Sequence, residues 1–246
     1  MNIQSAIIEG TNILKSKYIQ TAKLDTEILL AEVLGKDRKY ILLNNNKDLE
    51  AENLKYFQKL IKERSNCKPI AYLVKKKFFW NSEFFVTDDT LIPRPDTELI
   101  IEKILELTKH KNRMHILDIG VGSGCILLSI LKEKKNFYGT GIDISENCLN
   151  ISKINAKKLK VVARTKFCKT DVDKFSFGKY DLVVSNPPYI NQHDFKYLEK
   201  DVAKYEPRLA LDGGLDGLSE IRKVIKKSSE LIKKNGKFIL EIGFDQ

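Results

Sequence analysis

The sequence predicts an α/β fold: a mainly parallel sheet covered by helices on both faces, preceded by a small all-helical unit. Three observations predict it. Residues 1–75 carry apolar side chains at helical spacing and contain no convincing strand. From residue 114 onward, short apolar runs alternate with helical stretches, the pattern of strands joined by crossover helices. Glycine-rich and proline-rich turns stand at the ends of two of those strands, where open α/β sheets bind their ligands.

Taken in order, the helical unit shows Ile3, Ala6 and Ile7, then Leu24, Ile28, Leu29 and Val33, then Leu54, Phe57, Leu60 and Ile61, punctuated by Gly35 and Asn44-Asn45-Asn46. Phe78-Phe79-Trp80 and Phe84-Phe85-Val86 flank a polar Asn81-Ser82-Glu83 turn and predict a hairpin. Pro93 and Pro95 fix an extended segment over 91–96, and Asp96 or Thr97 is expected to cap a helix running to 107. Strands are predicted at 114–119, 137–143, 165–169, 180–185 and 236–242, with helices following Gly124, Ser145 and Gly217. The expected organisation is a helical unit over 1–75, a hairpin and linker over 76–96, and an α/β domain over 97–246. A chain of 246 residues suits one large and one small unit, because single cores stop growing efficiently near this size.

Composition bounds the class. With 42% hydrophobic and 31% charged residues the chain can build real cores and is not globally disordered. No apolar run approaches the roughly 20 residues of a membrane span, and residues 1–10 lack a basic-then-apolar leader, so a soluble cytoplasmic protein is expected. Cys67, Cys125, Cys148 and Cys168 are too scattered for a disulfide framework or a metal site, and reduced, mostly buried thiols are expected. The net charge of +10 comes from small lysine groups, such as Lys75 to Lys77, Lys134-Lys135 and Lys233-Lys234, rather than from one aromatic-interleaved stripe. Solvated helix faces explain it better than a nucleic-acid footprint.

The first predicted strand of the α/β domain runs into Asp118-Ile119-Gly120-Val121-Gly122-Ser123-Gly124. Glycines there permit a tight turn and let a ligand approach bare backbone. The run departs from the G-x-G-x-x-G spacing of dinucleotide dehydrogenases. Asp143 ends the second strand, where a carboxylate can accept from both hydroxyls of an adenosine ribose; a helix N-cap is its alternative role. Asp171, after the third strand, is placed to meet an adenine amine, with Val172 as apolar neighbour; a plain turn residue is the alternative.

Asn186-Pro187-Pro188-Tyr189 follows the fourth strand. Prolines donate no backbone hydrogen bond, so the loop offers acceptors. An NH2 conjugated to a carbonyl or aromatic ring attacks poorly because its lone pair is delocalised. The Asn186 side-chain oxygen and the Pro187 carbonyl can grip both N–H bonds, aim the lone pair at a sulfonium methyl, and stabilise the positive charge that develops. Tyr189 can stack on the planar group. The loop therefore points to methylation of an amide or amine nitrogen with S-adenosyl-L-methionine (AdoMet) as donor, and cannot itself distinguish glutamine from a nucleobase.

Together with Asp25-Thr26-Glu27-Ile28-Leu29-Leu30-Ala31-Glu32-Val33-Leu34-Gly35, Pro69-Ile70-Ala71-Tyr72-Leu73, Leu91-Ile92-Pro93-Arg94-Pro95-Asp96-Thr97-Glu98 and Glu206-Pro207-Arg208-Leu209-Ala210-Leu211, these motifs resemble the release-factor glutamine methyltransferases, the HemK family. The resemblance implies a Rossmann-like AdoMet-dependent methyltransferase sheet, and methyl transfer to the glutamine amide of the Gly-Gly-Gln motif of peptide-chain release factors. It implies cofactor contacts at Gly120, Val121, Gly122, Ser123, Gly124, Asp143, Asp171, Val172 and Asn186, and substrate contacts at Asn186, Pro187, Pro188 and Tyr189. It also implies a release-factor docking role for the helical unit and no direct nucleic-acid binding. The chain departs from the family pattern at Lys75, where glycine is usual, and at Val172, often aromatic. It also stops at Gln246, where the family continues into a terminal strand pair, and a sheet lacking that pair is expected. The competing readings are a DNA or ribosomal RNA exocyclic-amine methyltransferase, and a catalytically impaired AdoMet-binding remnant.

Overall fold

A computed structural model describes residues 1–246, which divide into two compact units: residues 1–75 with 200–205, and residues 76–199 with 206–246. The first unit is built from α1 (Ile3–Ser16), α2 (Ala22–Leu34), α3 (Arg38–Leu43), α4 (Ala51–Ser65) and α5 (Ile70–Val74). Asn2 caps α1 by accepting from the Ser5 N–H at 2.8 Å. Leu14, Leu29, Leu30, Ile41, Phe57 and Ile61 form its core. Gly10 allows α1 to lie close to α2, since a Cβ there would meet Thr26 Cγ2 at 2.8 Å.

The Asp25-Thr26-Glu27 run of α2 is buried, and its acids are paired across the unit. Arg64 Nε donates to Asp25 Oδ2 at 2.7 Å, and Arg38 Nη2 to Glu27 Oε2 at 2.6 Å. A buried carboxylate keeps its charge at tolerable cost when it has such a partner. No helix is long and apolar enough to cross a membrane.

Lys75, expected above to depart from a glycine, stands at a backbone position that favours glycine. It terminates α5 at φ 54°, the left-handed conformation that glycine adopts without steric cost. Lys75→Gly is expected to stabilise the protein by about 0.5–1 kcal/mol, read as an upward shift of the urea midpoint.

The second unit opens with a hairpin of β1 (Lys76–Phe79) and β2 (Ser82–Phe85). The turn is shorter than the sequence predicted. Trp80 and Asn81 alone form it, both left-handed at φ 43° and 55°, which is the geometry that matches strand twist in a two-residue loop. This register buries Phe79 and Phe84 together in an edge-on pair with ring centroids 6.1 Å apart. A 3-10 turn over Pro95–Thr97 then leads into α6 (Glu98–Leu107). The expected side-chain cap is absent: neither Asp96 nor Thr97 caps α6, because the preceding turn already satisfies the backbone.

The parallel sheet contains β3 (His115–Ile119), β4 (Tyr138–Asp143), β5 (Thr165–Lys169), β6 (Tyr180–Ser185) and β7 (Ile232–Leu240), in the spatial order β5-β4-β3-β6-β7. Between the strands lie α7 (Cys125–Glu133), α8 (Glu146–Lys158) and α10 (Ser219–Leu231); the short α9 (Lys200–Tyr205) belongs to the helical unit. Alternation along the strands supplies both cores. Ile116, Leu182 and Val184 pack with Ile101, Ile104 and Leu127, while Leu117 and Val183 pack with Val224 and Leu231 on the other face.

The last strand differs from its predicted range. Pairing starts at Ile232 opposite Tyr180, then jumps to Lys237 opposite Leu182, so residues 233–236 bulge out around Asn235 at φ 66°. β3 connects outward to β4 and β5 on one side, while β6 lies on the other. The switch point therefore falls at the carboxyl ends of β3 and β6, where ligands bind in such sheets.

Candidate active site

A cavity of about 500 Å³ opens at those strand ends, a size suited to a cofactor. Gly120, Val121, Gly122 and Ser123 line it after β3, Asp143 after β4, Asp171 and Val172 after β5, and Asn186, Pro187 and Pro188 after β6. Gly124 and Tyr189 do not line it. Gly124 starts α7 at φ 82° against Leu128 and Ser152, and Tyr189 turns its hydroxyl to Glu241 Oε1 at 3.3 Å.

The glycine loop is shaped by left-handed residues and held from outside. Gly120 and Gly122 have φ 75° and 54°, and a Cβ on Gly120 would project into open space. The N–H groups of Gly120 and Val121 both donate to the Ile142 carbonyl at 2.9 and 3.0 Å. From α8, Ser152 Oγ donates to the Gly122 carbonyl at 2.8 Å, and Asn155 Nδ2 to the Ser123 carbonyl at 2.9 Å. Asn155 also accepts from the Phe85 N–H at 2.7 Å, tying the hairpin to the loop. The sequence reading missed both residues, although buried polar side chains three apart on one helix are a usable signal.

Asp143 closes the loop rather than capping a helix. Its Oδ2 accepts from the Gly122 N–H and its Oδ1 from the Ser145 N–H, each at 2.9 Å, while the cap of α8 is Ser145. Burial raises its carboxyl above the ordinary range, and the Ser145, Gly122 and Ile144 N–H groups pull it back. Asp171 is part of a turn, with Oδ1 accepting from the Asp173 N–H at 3.0 Å, and faces the cavity as well.

Asp118, whose role no sequence motif showed, is a buried carboxyl near the end of β3 with neither oxygen in a closed hydrogen bond. Burial first, then the Asp143 charge, push it up to about 7, and the Leu127 N–H opposes them. The folded state thus holds this proton more tightly than the unfolded chain, whose carboxyl titrates near 3.8. Stability is expected to fall as pH rises from about 4 through 7. Asp118→Asn should flatten that part of the curve in urea titrations of the ligand-free protein; an unchanged slope contradicts the assignment.

The Asn186 loop is braced on both sides. Ser185 Oγ donates to the Ile119 carbonyl at 2.7 Å, locking β6 to β3 just before it. The Ile190 N–H donates to the Leu211 carbonyl at 3.0 Å, and the Gly213 N–H returns to Ile190 at 2.8 Å. A Cβ on Gly213 would meet Tyr189 Cα at 2.8 Å, which is why this brace needs glycine. Arg94, a linker residue at the cavity, is ion-paired with buried Glu206, whose Oε2 also accepts from the Ile92 N–H at 3.2 Å. The Glu206 segment thereby fastens the linker. Asn186 Nδ2 donates to Thr97 Oγ1 at 3.3 Å, which leaves the amide oxygen, Oδ1, as the group on offer.

The cysteines are free, and only Cys148 is buried, in contrast to the mostly buried thiols expected. Cys148 and Cys125 line the cavity, and burial pushes both thiols up to about 12, so neither supplies a thiolate.

Residues 5–74 match the PrmC N-terminal domain, and residues 95–216 the methyltransferase small domain. Along its whole length the chain is 37% identical to the release factor glutamine methyltransferase of Clostridium acetobutylicum, spanning 87% of that protein. It is 39% identical to the Clostridium botulinum protein of the same name and 38% identical to that of Buchnera aphidicola, covering 88% and 87% of them. Among solved structures, ribosomal protein L11 methylase from Lactobacillus delbrueckii aligns with a TM-score of 0.45 at 18% identity, over 63% of this chain and 64% of that one.

Proposed function

The chain belongs to the family of release factor glutamine methyltransferases and is an AdoMet-dependent methyltransferase, and from that premise we propose that it methylates the side-chain amide nitrogen of the glutamine in the Gly-Gly-Gln motif of peptide-chain release factors. The match of residues 5–74 to the PrmC N-terminal domain supports the choice of substrate, and the observation that carries methylation of an N–H-bearing nitrogen is the orientation of Asn186. Its NH2 is turned to Thr97, and its oxygen is free at the edge of the cavity that holds the glycine loop.

The cavity's residues fit AdoMet. Gly120 leaves room for a ligand against the backbone, Ser123 Oγ is buried without a partner, and the Asp143 carboxylate suits a ligand bearing ribose hydroxyls. When bound, AdoMet supplies an electrophilic methyl group on a sulfonium. Asp143 would accept from the ribose, and Asp171 with Val172 would bound the adenine. Asn186 Oδ1 and the Pro187 carbonyl accept the two N–H bonds of the glutamine amide and direct its lone pair along the methyl-transfer axis. As the N–C bond would form and the sulfonium C–S bond break, leaving a thioether, these fixed acceptors would stabilise the positive charge growing on nitrogen without reorganising, and the surplus proton would pass to solvent. The helical unit over residues 1–75 docks the release factor.

The test offers labelled AdoMet to the enzyme with purified release factor, duplex DNA and ribosomal RNA in parallel. Incorporation into the release factor alone is the expected outcome. Incorporation into nucleic acid alone would establish a base-amine methyltransferase instead, and AdoMet binding without any transfer would establish an inactive binder.

A further inference from the structure

Behind the Asn186 loop, away from the cavity lining, lies a carboxylate without an assigned role. Glu241 follows β7, and its N–H donates to the Ser185 carbonyl at 3.0 Å, one residue before Asn186. Its Oε1 accepts from the Tyr189 hydroxyl at 3.3 Å. Its Oε2 is buried without a closed hydrogen bond, while the Thr97 hydroxyl and the Asn186 amide stand beside the carboxylate and favour its charged form. Thr97 is itself buried and accepts from Asn186 Nδ2.

We propose that Glu241 and Thr97 are positioning residues that fix which way the Asn186 amide faces, so that its oxygen rather than its nitrogen meets the methyl-accepting group. An ionised carboxylate only accepts. Beside it, the single proton of the Thr97 hydroxyl is directed to Glu241, and Thr97 Oγ1 is left to accept from Asn186. That donor direction runs from Asn186 toward Glu241, both directly and by way of Thr97, and turns Oδ1 outward. With the amide reversed, its oxygen would face an oxygen, and its NH2 would oppose the substrate's N–H bonds. Because Glu241 does not line the cavity, it acts through Asn186 and not on the substrate. The inference rests on the reading of Asn186 as an acceptor for an N–H-bearing substrate.

Protonating Glu241 makes it a donor toward Thr97 and removes this direction. Burial raises its titration above the ordinary glutamate range; Asp96 adds to the rise, while Thr97, Tyr189 and Asn186 oppose it. The other ionisable groups near this cluster are Cys125 at the start of α7 and Arg94 in the linker. Turnover is therefore expected to fall on the acid side as Glu241 gains its proton.

The experiment has two arms. In the first, turnover on release factor is measured for Thr97→Val, Thr97→Ser and Glu241→Gln. The valine and glutamine variants should both lose on the order of tenfold in kcat, the glutamine variant with AdoMet affinity unchanged and the valine variant, at a residue that lines the cavity, with a smaller change in AdoMet affinity than in kcat. The serine variant should retain activity, and the acid limb of the pH profile should vanish in Glu241→Gln. In the second, the Glu241 carboxyl is titrated by carbon NMR without any substrate, where Thr97→Val should move it to higher pH by removing a donor to the charged form. A valine variant as active as the wild type, or an unmoved Glu241 titration, overturns the proposal. If wild-type enzyme labels no release factor while the titration moves as stated, the substrate assignment fails and the relay stands.

Discussion

Asn186→Ala is expected to lower turnover by on the order of 10²–10³-fold while AdoMet affinity stays within about twofold, a loss comparable to deleting one preorganised charge-stabilising group from an active site. The amide nitrogen of glutamine is a poor nucleophile because its lone pair is shared with the carbonyl. It becomes reactive only if its N–H bonds are held so that the lone pair is aimed at the methyl group, and only if the growing positive charge meets an acceptor. Asn186 Oδ1 is that acceptor, and alanine cannot replace it. Stopped turnover combined with calorimetric AdoMet binding measures both quantities, and a variant with wild-type turnover removes Asn186 from the chemistry.

Asp143→Ala should give the opposite split. The AdoMet dissociation constant is expected to rise on the order of 10²-fold, since two charge-assisted hydrogen bonds to the ribose are lost, each worth about 1.5–3 kcal/mol before solvent competes. Asp143 also anchors the Gly122 and Ser145 N–H groups, so the glycine loop loses its closure at the same time. At saturating AdoMet, kcat should fall far less than in Asn186→Ala. Equal losses in kcat and affinity would mean that Asp143 does more than hold the cofactor. The pair of variants separates binding from chemistry on the two sides of one cavity.

Much of this fold was legible because buried parallel strands leave compact apolar runs. The strand at 180–185, buried along most of its length, was predicted to the residue. The hairpin was displaced because its register, Phe79 opposite Ser82 and Phe84 opposite Lys77, puts both phenylalanines on the buried face as diagonal neighbours, a tertiary demand that overrides the polar look of Asn81-Ser82-Glu83. β7 was misjudged at its start because a bulge over 233–236 separates the Ile232 pairing from the rest.

In the site, the residues expected from strand-end position and from the family resemblance line one cavity, Gly120 to Ser123, Asp143, Asp171, Val172, Asn186, Pro187 and Pro188, while Gly124 and Tyr189 do not. The supporting residues were not legible in the sequence. Thr97 reaches Asn186 across 89 positions and Tyr189 reaches Glu241 across 52, so no local pattern announces either contact. Tyr189 belongs to the most conspicuous motif in the sequence, yet its hydroxyl serves Glu241 and its ring does not line the cavity. Spacing in the motif could not show that.

The most direct measurement is mass-spectrometric mapping of a release factor after incubation with the enzyme and labelled AdoMet. The expected result is one methyl group, on the side-chain nitrogen of the glutamine in the Gly-Gly-Gln motif, absent when Asn186→Ala replaces the wild type. A methyl group on any other atom of the release factor, or label found only on nucleobase amines in the parallel nucleic-acid samples, contradicts it.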